Sequence, residues 1–172
     1  MNNTQSERSK MWMTEALYNL MKVKPYTSIT IKEITEKAGV SRLTFYRNFS
    51  SKDDILERHF QTLFQIFLKH ITEEQINSLR CIIEIIYELW LKNKEHIQLL
   101  LQNNLGNILY KPFSQNIAIL LKSLQMAEKL NDDQIAFVAG GLYASMVNWL
   151  ECGNENPKEI ATSILDILKL PG

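Results

Sequence analysis

Apolar positions along the chain recur at helical spacing from end to end. Met13, Ala16, Leu17, Leu20 and Met21 fall at i, i+3 and i+4 and predict a first helix over 7–22. Lys24-Pro25-Tyr26 ends it, because proline disfavours helix in the residue before it. Ile31, Ile34 and Ala38 give a second, short helix its buried face. Thr30 and Glu33 form a capping box at its start, hydroxyl and carboxylate satisfying backbone N–H groups reciprocally. Gly39 stops it, since glycine enters the left-handed conformation at no steric cost. Ser41 caps a third helix at once, with Phe45 and Phe49 on one face. Ser51 with Asp54 opens a longer helix from Lys52 to about Ile71, striped by Ile55, Leu56, Phe60, Leu63, Phe64, Phe67 and Leu68.

A polar link from Thr72 to Asn77 marks the expected domain boundary. Leu79 to Leu91 then reads as a strongly apolar helix, continued by a short one from Asn93 to Leu101. Asn103-Asn104-Leu105-Gly106 breaks the pattern. A further helix starts near Ile108, is disturbed at Pro112, and resumes through Ile117, Leu120, Leu121 and Leu124 to about Lys129. Asn131 with Gln134 caps a helix over 132–151, which Gly153 closes. Asn156-Pro157-Lys158-Glu159 starts the last helix with a cap, a proline in its first turn and an acid; Ile160, Ile164, Leu165, Ile167 and Leu168 line it. No segment alternates with the strand period and none repeats, so the chain is predicted to be all-α.

Helix, glycine turn, helix is the outline of the helix-turn-helix motif, whose second helix enters the DNA major groove. Around Phe45 and Phe49 that helix offers hydroxyl, guanidinium, phenol and amide groups, which reach base edges and phosphates. An ordinary amphipathic surface helix carries the same residue types; the cap, the glycine and the spacing together favour DNA.

The stretch IKEITEKAGVSRLTFYRNFSSKDDIL resembles the DNA-binding segment of TetR/AcrR-type transcriptional regulators, and the likeness covers roughly the first 60 residues. Gly39, Val40, Ser41, Tyr46, Phe49 and Lys52 stand at the matching positions. Three positions depart: Thr35 and Leu43 where small residues are usual, and Asn48 where histidine is usual. The resemblance implies that Arg42, Leu43 and Thr44 face the bases, while Thr30, Tyr46, Asn48 and Lys52 hold phosphates. Ser41 and Arg47 complete the DNA-binding set. Lys52 lies in the first turn of its helix, where N–H groups and dipole also favour an anion. The resemblance further implies a three-helix helix-turn-helix domain with its connecting helix over 1–71 and a helical dimerisation and effector-binding domain over 72–172. Phe64, Phe67, Tyr87, Trp90, Tyr110, Phe113 and Met126 lie on helices that line the pocket in similar proteins. Core packing accounts for each of them equally well.

The stretch Ala136-x-x-x-Gly140-x-x-x-Ala144 puts three small residues on one helical face, with Gly141 and Ser145 beside them. Each mid-helix glycine costs roughly 1 kcal/mol relative to alanine, so a close neighbour is expected, in the same subunit or a second one. Phe137, Val138, Leu142, Tyr143, Met146, Val147 and Leu150 leave little of this helix polar, and such a helix must be buried on more than one side. The last helix is expected to supply one cover and a two-fold partner the other, making a four-helix bundle. Ala136, Gly140, Ala144, Val147, Ile160, Ile164 and Ile167 are the expected dimer interface.

Composition narrows the function. Net charge is zero, but residues 1–60 hold ten Lys/Arg against seven Asp/Glu, a balance of +3, and residues 61–172 the remaining nine against twelve, −3. The DNA-reading end is therefore mildly positive. The N-terminus has no signal-peptide pattern, and the uncharged run over the 16 residues Ile135 to Leu150 falls short of the ~20 that span a bilayer. A cytoplasmic protein without membrane contact is expected. Cys81 and Cys152 have no metal or disulfide spacing, His59 and His70 gather no completed ligand set, and nucleophile and phosphate-loop signatures are absent. The chain is expected to be no enzyme and to need no cofactor or metal. The expected function is sequence-specific regulation of transcription, repression being the expected sense, by a homodimer on a palindromic double-stranded operator. A small apolar ligand or a protein effector would release it. A DNA-binding accessory protein without effector, and a helical interaction module, are the alternatives.

Overall fold

The computed structural model describes residues 2–74, 76, 78–123, 130–152 and 156–168. Helices α1 (Asn2–Met21), α2 (Ile31–Ala38), α3 (Arg42–Asn48), α4 (Lys52–Glu73), α5 (Leu79–Lys92), α6 (Lys94–Gln102), α7 (Gly106–Ser123), α8 (Asp132–Cys152) and α9 (Pro157–Leu168) follow in chain order, with a 3₁₀ turn at Tyr26–Ser28. No strand occurs among the described residues. Two compact units form: Met1–Thr62 with Gln98–Leu109, and Leu63–Ile97 with Tyr110–Gly172. The boundary expected at 71/72 therefore falls earlier, inside α4, and the turn between α6 and α7 joins the N-terminal unit. One long-range bond explains the second difference: Asn103 Oδ1 accepts from the Tyr26 N–H at 2.9 Å.

In the first unit α1 packs on α2 and α3. Met13, Leu17, Tyr18, Ile34, Phe45, Ile55 and Leu56 are its buried anchors. Helix α1 begins earlier than the apolar pattern suggested. Its additional turn is held from outside, by Ser6 Oγ donating to Asn48 Oδ1 at 2.7 Å. Both halves of the capping box form on α2, with Glu33 N–H donating to Thr30 Oγ1 at 3.3 Å and the Thr30 N–H donating to Glu33 Oε2 at 2.9 Å. Gly39 takes the left-handed conformation at φ 66°, ψ 32°, which allows the Val40 N–H to reach the Thr35 carbonyl at 3.0 Å. Thr35, where a small residue was expected, is buried and spends its hydroxyl on the carbonyls of Ile31 and Lys32.

In the second unit α5 is packed by α9 and by α8. Ile82, Ile83, Ile86, Tyr87, Ile117, Leu120, Met146 and Trp149 are buried there. Asn131 and Gln134 cap α8 reciprocally at 2.9 Å each way, and the Lys158 N–H donates to Asn156 Oδ1 at 3.0 Å at the start of α9. Pro112 was expected to disturb its helix, yet α7 continues through it. Buried residues on either side, Ile108, Leu109, Phe113 and Ile117, hold the segment helical despite the missing N–H. Among the described residues, α8 alone is long and apolar enough by length and composition to cross a membrane, a test that the core helix of a globular protein also passes. Its acids sit at the ends, Asp132 and Asp133 in the first turn and Glu151 in the last. Met126 and Gly153 lie outside the described residues.

The α2 cap carries a pH signature. The ammonium of Lys24, then the backbone and hydroxyl of Thr30, hold the Glu33 carboxyl down at about 2. A carboxylate depressed in the fold stabilises it above the unfolded-state pKa, and that stabilisation is lost as pH falls from there through the folded value. Wild type should therefore lose more thermal stability than Glu33→Gln between about pH 4.5 and pH 2. Calorimetric scans of both proteins across that window check this; parallel curves would mean that the charge of Glu33 contributes nothing.

Candidate functional site

The seven residues of α3 divide cleanly by exposure. Phe45 is fully buried and Phe49, its C-cap, is nearly so; the two rings pack at 6.0 Å and fix which side of the helix faces inward. Arg42, Leu43, Tyr46 and Arg47 face solvent, Leu43 at 60% and Tyr46 at 61% exposure. The Tyr46 ring stands edge-on to Phe45 at 5.3 Å. That face therefore offers two guanidinium groups, a phenol and an isobutyl group within two helical turns. It is the chemistry of a recognition helix: cations for phosphate or guanine, a phenol for phosphate, an apolar group for base methyls.

The remaining candidates on the head are bound up in its own framework. Ser41 Oγ accepts from the Thr44 N–H at 3.1 Å and pairs with Thr44 Oγ1 at 2.9 Å. Thr44 is half-buried, so of the three residues expected to face bases it is the least available. Thr30 gives its hydroxyl to Glu33 Oε2 at 2.8 Å, beside a carboxylate. Asn48, expected on a phosphate, accepts from Ser6 and donates through Nδ2 to the Thr44 carbonyl at 2.7 Å. Its amide ties the last turn of α3 to the first turns of α1. Ser6 escaped the sequence reading because a polar residue 42 positions away carries no periodic signal.

Lys52 also points inward. Its ammonium donates to the carbonyls of Tyr26 at 2.6 Å and Ile29 at 3.0 Å, and lies 4.2 Å from the centre of the Tyr26 ring. Desolvation pulls its pKa down, Asp53 pulls it back up and Lys24 lowers it again. Two of its three protons are thus used inside the protein, and one is left over. The Tyr26 hydroxyl donates to Asp53, and burial first, then that carboxylate, push the phenol pKa up.

In the second unit the expected pocket residues pack on one another. Phe64, Phe67, Tyr87, Trp90 and Phe113 are buried, while Tyr110 is 38% exposed. Tyr143 joins them, with ring centres 5.8 Å from Trp90, 5.9 Å from Phe113 and 5.1 Å from Tyr110. Phe64 and Phe67 pair separately at 5.1 Å. Tyr87 donates to Ser145 Oγ at 2.8 Å and packs on Trp149 at 5.2 Å.

Of the expected dimer residues, Ala136, Ala144 and Ile167 are exposed, and Gly140, Val147 and Ile164 half-buried. Ile160 must be corrected: at 6% exposure it belongs to the core of its own unit, because α9 turns that side toward α5. Phe137, expected only as a flank of the stripe, stands 80% exposed on the same side as Gly141 and Ala144. Among the described residues, close packing of the glycines inside the subunit is not found. A Cβ at Gly140 would meet only the Tyr110 hydroxyl at 3.8 Å, and one at Gly141 would meet nothing within 4 Å.

Residues 14–58 match the family described as bacterial regulatory proteins, tetR family, and residues 77–170 match the one described as transcriptional regulator C-terminal region. No curated protein matches the sequence. Among solved structures the chain is similar to a protein of Listeria innocua, with a TM-score of 0.80 at 18% identity over 96% of this chain and 92% of that one. A TetR transcriptional regulator of Streptococcus agalactiae matches with a TM-score of 0.71 at 17% identity over 98% of each chain. The TetR family repressor AlkX from a Dietzia strain, implicated in biodegradation of n-alkanes, matches with a TM-score of 0.56 at 15% identity over 92% of this chain and 93% of that one. At these identities the solved structures share the fold, and the two family matches together extend over most of the sequence. This chain belongs to the TetR family of DNA-binding transcriptional regulators.

Proposed function

We propose that this protein is a cytoplasmic repressor that binds a palindromic double-stranded operator as a homodimer and is released by an apolar small molecule. The observation that carries the DNA reading is the outward face of α3, where Arg42, Leu43, Tyr46 and Arg47 stand exposed around a helix anchored by Phe45. Arg42 and Leu43 read bases; Tyr46, Arg47 and the remaining proton of Lys52 hold phosphates. Thr30, Ser41, Thr44 and Asn48 serve the interface by fixing α2 and α3, as their internal hydrogen bonds suggest.

The dimer is built on the exposed stripe of α8, Ala136, Phe137, Gly141 and Ala144, with Ile167 of α9 at its edge. A two-fold axis sets the two α3 helices roughly 34–36 Å apart, one turn of DNA or a multiple, and so demands a palindromic site. The aromatic group around Tyr143 is the place for the effector. An apolar compound suits it because rings packed edge to face can part for another ring or chain without stranding charge.

Three measurements test these assignments. Arg42→Ala should cost about 1–3 kcal/mol on the correct site and relax preference at one base position, while Lys52→Ala should weaken all duplexes alike and lower the salt slope by about one. Equal loss on every duplex after the Arg42 change would count against base reading. Phe137→Glu should sediment as a monomer with its fold intact and bind the operator far more weakly; a normal dimer would rule out the α8 interface. A panel of straight-chain and aromatic compounds should contain one that stabilises the protein by about 2.7 kcal/mol at a hundred times its Kd and releases DNA. A panel that shifts nothing in thermal unfolding points instead to a protein effector.

A further inference from the structure

Leu43 is the one aliphatic side chain that α3 turns outward, and it does so at 60% exposure. At 100° per residue it lies about 160° round the helix from Phe45, and Arg47 lies as far round the other way. Leu43 and Arg47 therefore form the outermost ridge of α3, with Tyr46 and Arg42 along one flank. An isobutyl group cannot donate or accept a hydrogen bond, so whatever it recognises must be apolar. Among base edges exposed in the major groove, the C5-methyl group of thymine is the apolar mark. The arginines that bracket Leu43 direct this patch to a polyanion rather than to an apolar protein surface.

We propose that Leu43 is a specificity-determining residue that packs on the C5-methyl of a thymine in each half of the operator. This rests on the DNA-reading function proposed above and assigns it one base. The neighbouring guanidinium groups fix the register, and Leu43 discriminates thymine from cytosine at its own position.

The test enriches random duplexes on the full-length protein, then replaces each thymine of the recovered site in turn by deoxyuridine, which deletes only the methyl group. One position in each half-site should then bind about fourfold more weakly, the value of one buried carbon. Leu43→Ala should bind the thymine and deoxyuridine duplexes equally at that position. Leu43→Met, which keeps an apolar side chain, should retain the preference, as should Arg42→Ala. The readout is a ratio of two affinities on one variant, so a general weakening of binding does not move it. If every deoxyuridine duplex binds wild type as tightly as its parent, or if Leu43→Ala keeps the fourfold ratio, the methyl assignment is overturned and DNA reading stands. If wild type enriches no site, the DNA-reading function falls and this assignment with it.

Discussion

A chain that buries a turn must satisfy the backbone groups it takes out of water, and in the N-terminal unit that duty converges on Tyr26. Its carbonyl and that of Ile29 accept from Lys52, its hydroxyl donates to Asp53, and its N–H donates to Asn103. Its ring lies beneath the Lys52 ammonium. Thr30, which caps α2, follows Ile29 directly, so the entry of the helix-turn-helix is pinned by the first turn of α4. Burying an ammonium is costly unless it is fully hydrogen-bonded. Its downward-shifted pKa is the mark of that cost, and the two carbonyls and the Asp53 charge offset it.

The same arrangement explains what could be read from the sequence. Every cap predicted from spacing, Thr30 with Glu33, Ser41, Ser51 with Asp54, Asn131 with Gln134 and Asn156, joins atoms no more than three residues apart. Helical geometry alone fixes such pairs, so composition suffices to find them. Lys52 reaches 23 and 26 residues back, Ser6 reaches 42 forward, and Asn103 reaches 77 back. These partners are chosen by tertiary packing, and no periodicity encodes them. Lys52 therefore read as an anion ligand from its place in a helix start, when most of its donors turn inward. The α6–α7 turn went unassigned to the first unit for the same reason, because the Asn103 contact draws it there across 77 residues.

Aromatic residues in the second unit were legible as apolar and not as to what they touch. Trp90, Phe113, Tyr110 and Tyr143 meet largely edge to face, the arrangement their quadrupoles favour, and such pairs contribute about 0.5–1.5 kcal/mol beyond burial. Tyr143 entered the sequence reading only as a flank of the small-residue stripe. Its place at the centre of the ring cluster follows from α8 packing that side against its own unit, with Gly140 beside Tyr110 and Gly141 turned away.

That division of α8 bears on the two glycines. Alanine at Gly140 would make an ordinary contact with Tyr110, and at Gly141 it would meet open space. On helix propensity each position would therefore be more stable by roughly 1 kcal/mol with alanine, and no described residue of the protomer packs closely enough to compensate. A surface that forgoes helix stability twice in succession, next to a phenylalanine left 80% in water, is poorly explained by one copy of the chain. The second α8 proposed to cross at the stripe would account for both at once: the missing Cβ atoms would let the backbones approach, and the same approach would cover Phe137. In the proposed dimer a two-fold contact would set like against like, so each glycine lost to helix propensity would serve both subunits, in an interface that a single chain cannot form.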